Sequence, residues 1–498
     1  MKNRLRYPLG FGLCMFLLLV LAPGFSAAAG KATDPGVRPP KVTPEAERPC
    51  ARWITDATPI PDAAWVKDLP EAQQKLFCAG AVKFATVDGL HEGLGPTFNF
   101  NSCKGCHDFP STGGSSPGPY PGDGGANTNP QYAFASTQYQ AGTNSIPWFV
   151  QARGPVREVR FVHADKGKPD GGVHAVFTIR GLEGNTQCSL DQPDFDAQHR
   201  KGNMIFRIPT PTFGAGLLEQ IEDSTIDANL KSRQARRYGM AKNTRGFSLP
   251  IGRLNIVRVG HAHGSENRNG NDGTIARFGW KAQNKSLLVF AGEAYNVEMG
   301  ISNELFQTER DETPACQFAP VPNDTSNPDR SGLAVLSDVE LFAAFMRYLA
   351  PPARDAEYPH GASSGAQGEV IFDRIGCSHC HSPSMQTSMQ SAVSALRDHD
   401  VALYSDLALH HMGYGLADGI SQGQAGGDEF RSAPLWGLGQ RAFFLHDGRT
   451  GDLVEAIRAH ASPKGHGYPK SEANPVVSEY FRLSNEDQQH LLDFLRSL

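Results

Sequence analysis

The sequence predicts a mainly helical chain in two units, the first enlarged by long loops and some β-hairpin structure. Three observations predict it. Two strings share the pattern C-x-x-C-H: Cys103-Lys104-Gly105-Cys106-His107 and Cys377-Ser378-His379-Cys380-His381. They stand 274 residues apart, too far for a tandem repeat of one small module. Segments with apolar residues at helical spacing flank both strings, and the chain between them is rich in Gly and Pro.

Each element has a local reason. A helix is expected over about 70–85, where Pro70 opens it and Leu76, Ala79, Val82 and Phe84 share one face. Residues 110–147, dense in Gly, Ser, Pro and Asn, read as a long ordered loop. Alternation over 155–181 (Val156, Val159, Phe161; then Val173, Val176, Phe177, Ile179) suggests a β-hairpin. A helical stretch around 214–232 carries Leu217, Leu218, Ile221 and Ile226, and 259–275 reads as a loop. Pro320, Pro322, Asn323, Pro328 and Gly332 mark a boundary. Beyond it, the capping box Ser337-Asp338-Val339-Glu340 starts a helix that Pro351-Pro352 stops. Ser484-Asn485-Glu486-Asp487 caps a last amphipathic helix with Leu491, Leu492, Phe494 and Leu495, expected to pack on the N-terminal helix of the second unit. The expected domains are 70–330 and 331–498, after a leader over 29–69 whose first part, 29–48, reads as flexible.

The start of the chain reads as a cleavable secretory signal over residues 1–28. Lys2, Arg4 and Arg6 precede an apolar run from Leu9 to Leu21, short for a bilayer span, and Ser26-Ala27-Ala28-Ala29 offers a cleavage region. No later segment is apolar enough to span a membrane, so a periplasmic protein is expected. With formal charge -5 and no basic stripe, nucleic acid is not an expected partner. Of nine Cys, Cys14 lies in the signal and four in the two motifs. Cys50, Cys78, Cys188 and Cys316 remain, an even number that allows two disulfides in three connectivities.

The C-x-x-C-H spacing is that of covalent haem c attachment. Two thiols three residues apart reach the two vinyl groups of one porphyrin, and the following His falls beneath the iron. A zinc or redox C-x-x-C is the competing reading; two motifs in an exported chain favour haem. Cys103, Cys106, Cys377 and Cys380 are thus the expected attachment points, His107 and His381 the proximal ligands, and two cytochrome c-like haem domains the expected fold.

Several segments around these motifs carry a family resemblance: Gly93-Leu94-Gly95-Pro96-Thr97-Phe98-Asn99, Gly171-Gly172-Val173-His174, Arg207-Ile208-Pro209-Thr210-Pro211, Arg277-Phe278-Gly279-Trp280-Lys281-Ala282-Gln283 and Glu298-Met299-Gly300. In the second half they include Ala433-Pro434-Leu435-Trp436-Gly437 and Phe444-Leu445-His446-Asp447-Gly448-Arg449. In this order the chain resembles the di-haem oxidoreductases, peroxidase-like proteins also labelled thiol oxidoreductases. They are relatives of the bacterial di-haem cytochrome c peroxidases and of the di-haem enzyme that matures methylamine dehydrogenase. The resemblance covers roughly residues 75–498. It implies an electron-transfer haem feeding a reactive one, with a small redox protein or other electron donor and peroxide or another small oxidant as partners.

Axial ligands divide these roles, because an iron with two strong ligands shuttles electrons and one with an open site reacts. For the second haem the resemblance points to His460, where relatives usually carry Met; Met412 and His411 are alternatives. His446 reads as structural and Arg449 as a propionate partner. For the first haem, relatives place a distal His soon after the motif, yet residues 108–162 contain no His. His174 is the best candidate there, followed by His163 and His199, with an open site as the alternative. Glu219, in an expected helix after Pro209 and Pro211, is the candidate catalytic acid. The relatives' own acid position maps onto apolar Leu287 or Leu288. Trp280 and Trp436 are candidate electron relays, and no calcium loop is evident. Three functions follow: a peroxidase-like oxidoreductase first, then a non-catalytic electron-transfer cytochrome, then haem-dependent oxidation of an organic or protein substrate.

Overall fold

The computed structural model describes residues 31–41, 43–54, 58–119, 129–138, 144–164, 167–185, 187–240 and 274–498. The signal segment 1–28 and most of the expected loop 259–275 lie outside the described residues. Residues from Ala32 to Leu498 form one compact unit. Among the described residues the chain is mainly helical with four small antiparallel sheets. Among the described residues no helix is long and apolar enough to cross a membrane.

The helices in chain order are α1 (Glu71–Ala85), α2 (Cys103–Cys106), α3 (Pro130–Gln138), α4 (Phe195–Arg200), α5 (Ala215–Glu219), α6 (Asp223–Met240), α7 (Leu287–Met299), α8 (Asp338–Tyr348), α9 (Ala362–Ile375), α10 (Leu453–Ala459), α11 (Asn474–Tyr480) and α12 (Asn485–Ser497). The strands are β1 (Thr97–Phe98), β2 (Glu158–Phe161), β3 (Val173–His174), β4 (Phe177–Thr178), β5 (Met204–Arg207), β6 (Met385–Gln386), β7 (Asp400–Val401), β8 (Leu409–His411) and β9 (Glu429–Arg431). β2 is the centre of a three-stranded sheet between β3 and β5, with Val159 opposite both His174 and Phe206.

Two helix crossings organise the molecule. α1 crosses α8, and α9 crosses α12. Each crossing is made close by one glycine. A Cβ on Gly80 of α1 would stand 2.3 Å from the Leu341 carbonyl oxygen and 3.0 Å from Phe345 Cβ. A Cβ on Gly368 of α9 would stand 1.9 Å from the His490 carbonyl oxygen and 2.7 Å from Phe494 Cβ. One turn beyond each glycine sits a phenylalanine. Phe84 meets Phe345 at 4.7 Å between ring centroids and His107 at 6.0 Å. Phe372 meets Phe494 at 5.3 Å and His381 at 6.4 Å. The same device therefore sets each motif histidine against its own helix pair.

This arrangement corrects the expected division at 330/331. α8 keeps its capping box, with Ser337 and Glu340 bonding reciprocally, but its buried face packs with α1 and α7 in the first core. The N-terminal helix of the second crossing is α9, and α12 packs there as the capped amphipathic pattern implied. Other elements differ too. The 110–147 segment contains α3. The alternation over 155–181 forms two pairings instead of one hairpin: β3 joins β2, while β4 joins β1. The helical stretch at 214–232 breaks into α5 and α6, where buried Arg277 donates to the Leu218 and Ile221 carbonyls and pairs with Asp223.

The segment read as a flexible leader is packed. Asp34 accepts two hydrogen bonds from Arg496 at 2.7 Å and one from the Leu453 amide. The Arg496 side chain is 0% exposed and that of Asp34 7%. Burial works against the Asp34 charge, yet Arg496 outweighs it and holds the carboxyl below its usual range. Cys50 pairs with Cys78 on α1, and Cys188 with Cys316, which selects one of the three connectivities.

Valine at Gly80 or Gly368 is expected to force the helices apart and destabilise the protein by about 1–3 kcal/mol or more. Denaturant unfolding checks this, and an unchanged midpoint would show that the crossings have slack.

Candidate functional site

Two cavities open beside the two motifs. The first, with about 1250 Å³ of empty space, is bordered by Cys103, Cys106 and His107, by β2, by the 207–212 segment and by one face of α7. The second, with about 1440 Å³, is bordered by Cys377, Cys380 and His381, by α10, and by β8 and β9. All four cysteines are free thiols at the cavity walls, unlike the two disulfide pairs.

Backbone carbonyls fix the histidine tautomers. His107 Nδ1 donates to the Gly114 carbonyl at 3.0 Å, and His381 Nδ1 to that of Tyr404 at 3.0 Å. His460, at the C-terminal end of α10, donates from Nδ1 to the Ala456 carbonyl at 2.7 Å. A carbonyl can only accept, so each Nδ1 carries the hydrogen and each Nε2 keeps its lone pair. Burial pushes His107 and His381 down to about 4 and lowers His460 as well, so all three are neutral at pH 7.

The two cavities differ in what faces these imidazoles. The second brings His381 and His460 into one space, together with His410, His446 and Met412. His410 is buried between Asp406 and Glu472, bonding to both at 3.0 and 2.9 Å. Burial opposes its charge, but the Cys380 sulfur and the Asp406 carboxylate raise its proton affinity well above the ordinary value. His411 turns away to Asp428 and Glu429, which removes it as a ligand candidate for this cavity. His446 stacks on Phe430 at 4.4 Å, and burial drives it down to about 4.

The first cavity has His107 as its one imidazole among the described residues that line it. His174 is not there. Its ring stacks on Phe161 at 3.7 Å and its Nε2 bonds to the Gly171 carbonyl oxygen, because β3 presents this face to β2. His163 and His199 also lie off the cavity. Glu219 is corrected as well. It accepts from Arg347 Nε at 2.7 Å and from the Leu287 amide at 2.9 Å, an ion pair that also satisfies the first turn of α7. Arg449 bonds to Asp447 and to the Gly415 carbonyl and lines neither cavity.

The acids of the first cavity are Glu158, Glu293 and Glu298. Glu298 is the main residue missed in the sequence. Leu287 is core and begins α7, while Glu293 and Glu298 come later on the same helix. Glu298 accepts from Asn99 Nδ2 at 2.7 Å. Burial pushes its carboxyl up to about 8, with the charge of Glu158 adding to the effect, so it carries a proton at pH 7. Its adjacency to Met299-Gly300 in a resembling segment was the available signal.

Trp280 lines both cavities. Its Nε1 donates to the Ile208 carbonyl at 2.9 Å, and its carbonyl accepts from the Arg431 amide at 2.9 Å. Trp436 borders a smaller pocket of about 530 Å³ that Trp280 shares.

A family model described as "Di-haem oxidoreductase, putative peroxidase" matches residues 187–498. No curated protein matches the chain in sequence. Among solved structures it is similar to hydrazine synthase of Kuenenia stuttgartiensis, with 15% identity over 42% of this chain and 61% of that one and a TM-score of 0.24. It is also similar to a MauG-like protein associated with microbial copper homeostasis, with 17% identity over 34% of this chain and 58% of that one and a TM-score of 0.22. The chain thus spans about three fifths of the length of each. A match over residues 187–498, well beyond half the sequence, settles the family: this chain belongs to the di-haem oxidoreductases.

Proposed function

We propose that the protein is a periplasmic, peroxidase-like oxidoreductase with two covalently attached c-type haems, the second passing electrons to a reactive first. The observation that carries this is the inequality of the cavities. One sets a second neutral imidazole, His460, in the same space as its motif histidine. The other sets carboxylates there and no second imidazole.

The residues present fit haem in both places. Free thiols at the motif spacing suit vinyl attachment, and His107 and His381 each keep an Nε2 lone pair for iron. In the first cavity the Nε atoms of Arg157, Arg160 and Arg207 are buried without a hydrogen-bond partner, as an anionic propionate edge requires. When bound, haem iron supplies the one-electron chemistry and a site for a peroxide oxygen.

The chain's own groups do the rest. Reduction of peroxide to two waters takes two electrons and two protons. Glu298 holds a proton at neutral pH inside the first cavity, oriented by Asn99, where it can protonate the leaving oxygen as the O–O bond breaks. Trp280 places an indole between the two cavities. His381 and His460, each with a free Nε2 lone pair, would hold the second haem's iron and so leave it to electron transfer, with an exported electron donor as the source of electrons. A purely electron-transferring role would leave the buried acid of the first cavity without a task.

The oxidised protein is expected to show a mixed-spin spectrum, high-spin from the first haem. His460→Ala should alter the low-spin component alone, and two low-spin haems inert to peroxide would sink the proposal. His174→Ala should leave both components unchanged. A spin-state change in that variant would put this imidazole on iron.

Glu298→Gln should lower peroxide turnover by about 10²-fold or more, the usual scale for a lost general acid. Glu219→Gln should act chiefly on stability. Since the carboxyl titrates near 8, the proton-donating form is present below that pH and lost above it. Wild-type turnover should therefore fall as pH rises through about 8, a limb absent in the Gln variant.

A further inference from the structure

Buried guanidinium groups in this chain meet carboxylates. Arg207 reaches Asp418 at 2.6 Å, Arg347 reaches Glu219 at 2.7 Å, Arg496 reaches Asp34 at 2.7 Å, and Arg277 pairs with Asp223. Among the described residues buried Arg431 and half-buried Arg441 break the rule, as does half-buried Arg157 at the first cavity, whose Nη1 meets the Phe149 carbonyl. Arg431, at the end of β9, is 9% exposed. Its Nε donates to the Gly279 carbonyl at 3.0 Å and its Nη1 to the Ser432 carbonyl at 3.3 Å. Arg441 donates from Nη2 to the Pro434 carbonyl at 3.0 Å. These carbonyls satisfy N–H groups and leave both positive charges uncancelled. Asp406 acts on Arg431 from a distance, but its oxygens are taken by His410, Ser432 and the Ala408 amide. Burial, and for Arg431 the charge of Arg441, pulls both guanidinium groups down to about 10. Two like charges held this way are costly unless an anion joins them.

Their position says which anion. Both arginines border the second cavity and also the small pocket that holds Trp280 and Trp436. Arg431 further grips the Trp280 segment, through its amide on the Trp280 carbonyl and its Nε on that of Gly279.

We propose that Arg431 and Arg441 clamp the propionate carboxylates of the second haem, turning its anionic edge toward Trp280 and the first cavity. The proposal rests on the reading of the second cavity as a haem site. Guanidinium groups suit carboxylates because their N–H donors match the two oxygens. One residue, Arg431, then fixes both the anionic edge and the backbone of the indole beside it. The clamp has two electrical consequences. Its positive charge raises the second haem's midpoint, offsetting the low value expected of a His/His iron. It also keeps the propionates ionised, so that haem takes up an electron without a proton across neutral pH.

The test is a potentiometric titration of the purified holoprotein, followed at the second haem's low-spin absorbance, for wild type, Arg441→Gln, Arg441→Lys and Arg431→Gln. Haem content is measured as the pyridine complex. The Gln variants are expected to keep two haems while the second midpoint falls by a tenfold change in reduced-to-oxidised ratio, about 59 mV for a one-electron couple. It should also become pH-dependent, because a propionate freed from its guanidinium takes up one proton with the electron. Arg441→Lys keeps the charge and should stay near wild type, and the first haem should not move. If Arg431→Gln fails to fold, Arg441→Gln carries the test, since that side chain bonds to Pro434 alone. Two haems with an unmoved, pH-independent second midpoint would overturn the clamp. So would equal loss in Arg441→Lys and Arg441→Gln. Wild-type protein lacking a second haem would instead overturn the reading beneath it, and the clamp with it.

Discussion

The close approach of two helix pairs is the constraint on which the rest depends. Helices ordinarily pack with 8–10 Å between axes, set by the side chains at the contact. At Gly80 and Gly368 there is no side chain, and a carbonyl oxygen of the opposing helix occupies the space. That closeness brings Phe84 and Phe372 onto the opposing Phe345 and Phe494, and each then stands beside a motif histidine. The motif histidine is thus placed by packing rather than by its own loop. A backbone carbonyl finishes the task by fixing its tautomer. Identical scaffolding at both crossings means that any difference in chemistry must come from what closes the opposite side of each cavity.

That side is closed by different elements. In the first half it is α7, whose cavity-facing residues include Glu293 and Glu298. In the second it is α10, whose C-terminal residue is followed by His460. Both use the end of a helix to carry the deciding group into an apolar space. Burial keeps the imidazole neutral and able to ligate, and keeps the carboxyl protonated and able to donate. One physical effect, desolvation, keeps an imidazole neutral in one cavity and a carboxyl protonated in the other.

The legible parts of the sequence were those where chemistry or capping is local. The C-x-x-C-H strings, the capping box at Ser337 and the amphipathic pattern ending at Leu495 each declare themselves within a few residues. The allegiance of α8 does not. Its last residue, Tyr348, is 14 positions before the start of α9 on one side and the helix is far in sequence from α1 on the other, and only the Gly80 crossing decides between them. His174 failed as a ligand for a similar reason. Strand alternation says that it faces one side of a sheet, but which side borders the cavity depends on β5, contributed 30 residues later. Glu219 was a candidate acid for its place in a helix after Pro209 and Pro211, and that same position lets it meet Arg347 from α8. Glu298 does not stand out in sequence because its proton affinity comes from burial and then from Glu158, both long-range.

Trp280 shows where the chain spends stability on position. Lys281, next to it, is 0% exposed; its ammonium bonds to the Gly426 and Glu429 carbonyls, pairs with Asp418 at 3.0 Å and lies 4.1 Å from the Phe430 ring. Burial lowers it to about 8 against the pull of Asp418. An apolar residue there would avoid the desolvation of a full charge. What a lysine adds is direction, since three oxygens from one loop can be met only with the 279–282 turn in one place. Asp418 is held in turn by Arg207, whose own segment supplies the Ile208 carbonyl that receives the indole N–H. The indole between the cavities is therefore fixed through its ring, through its backbone and through its neighbour, by elements drawn from both halves. A side chain that merely filled space would not need three linked anchors, whereas one whose distance to both cavities matters would.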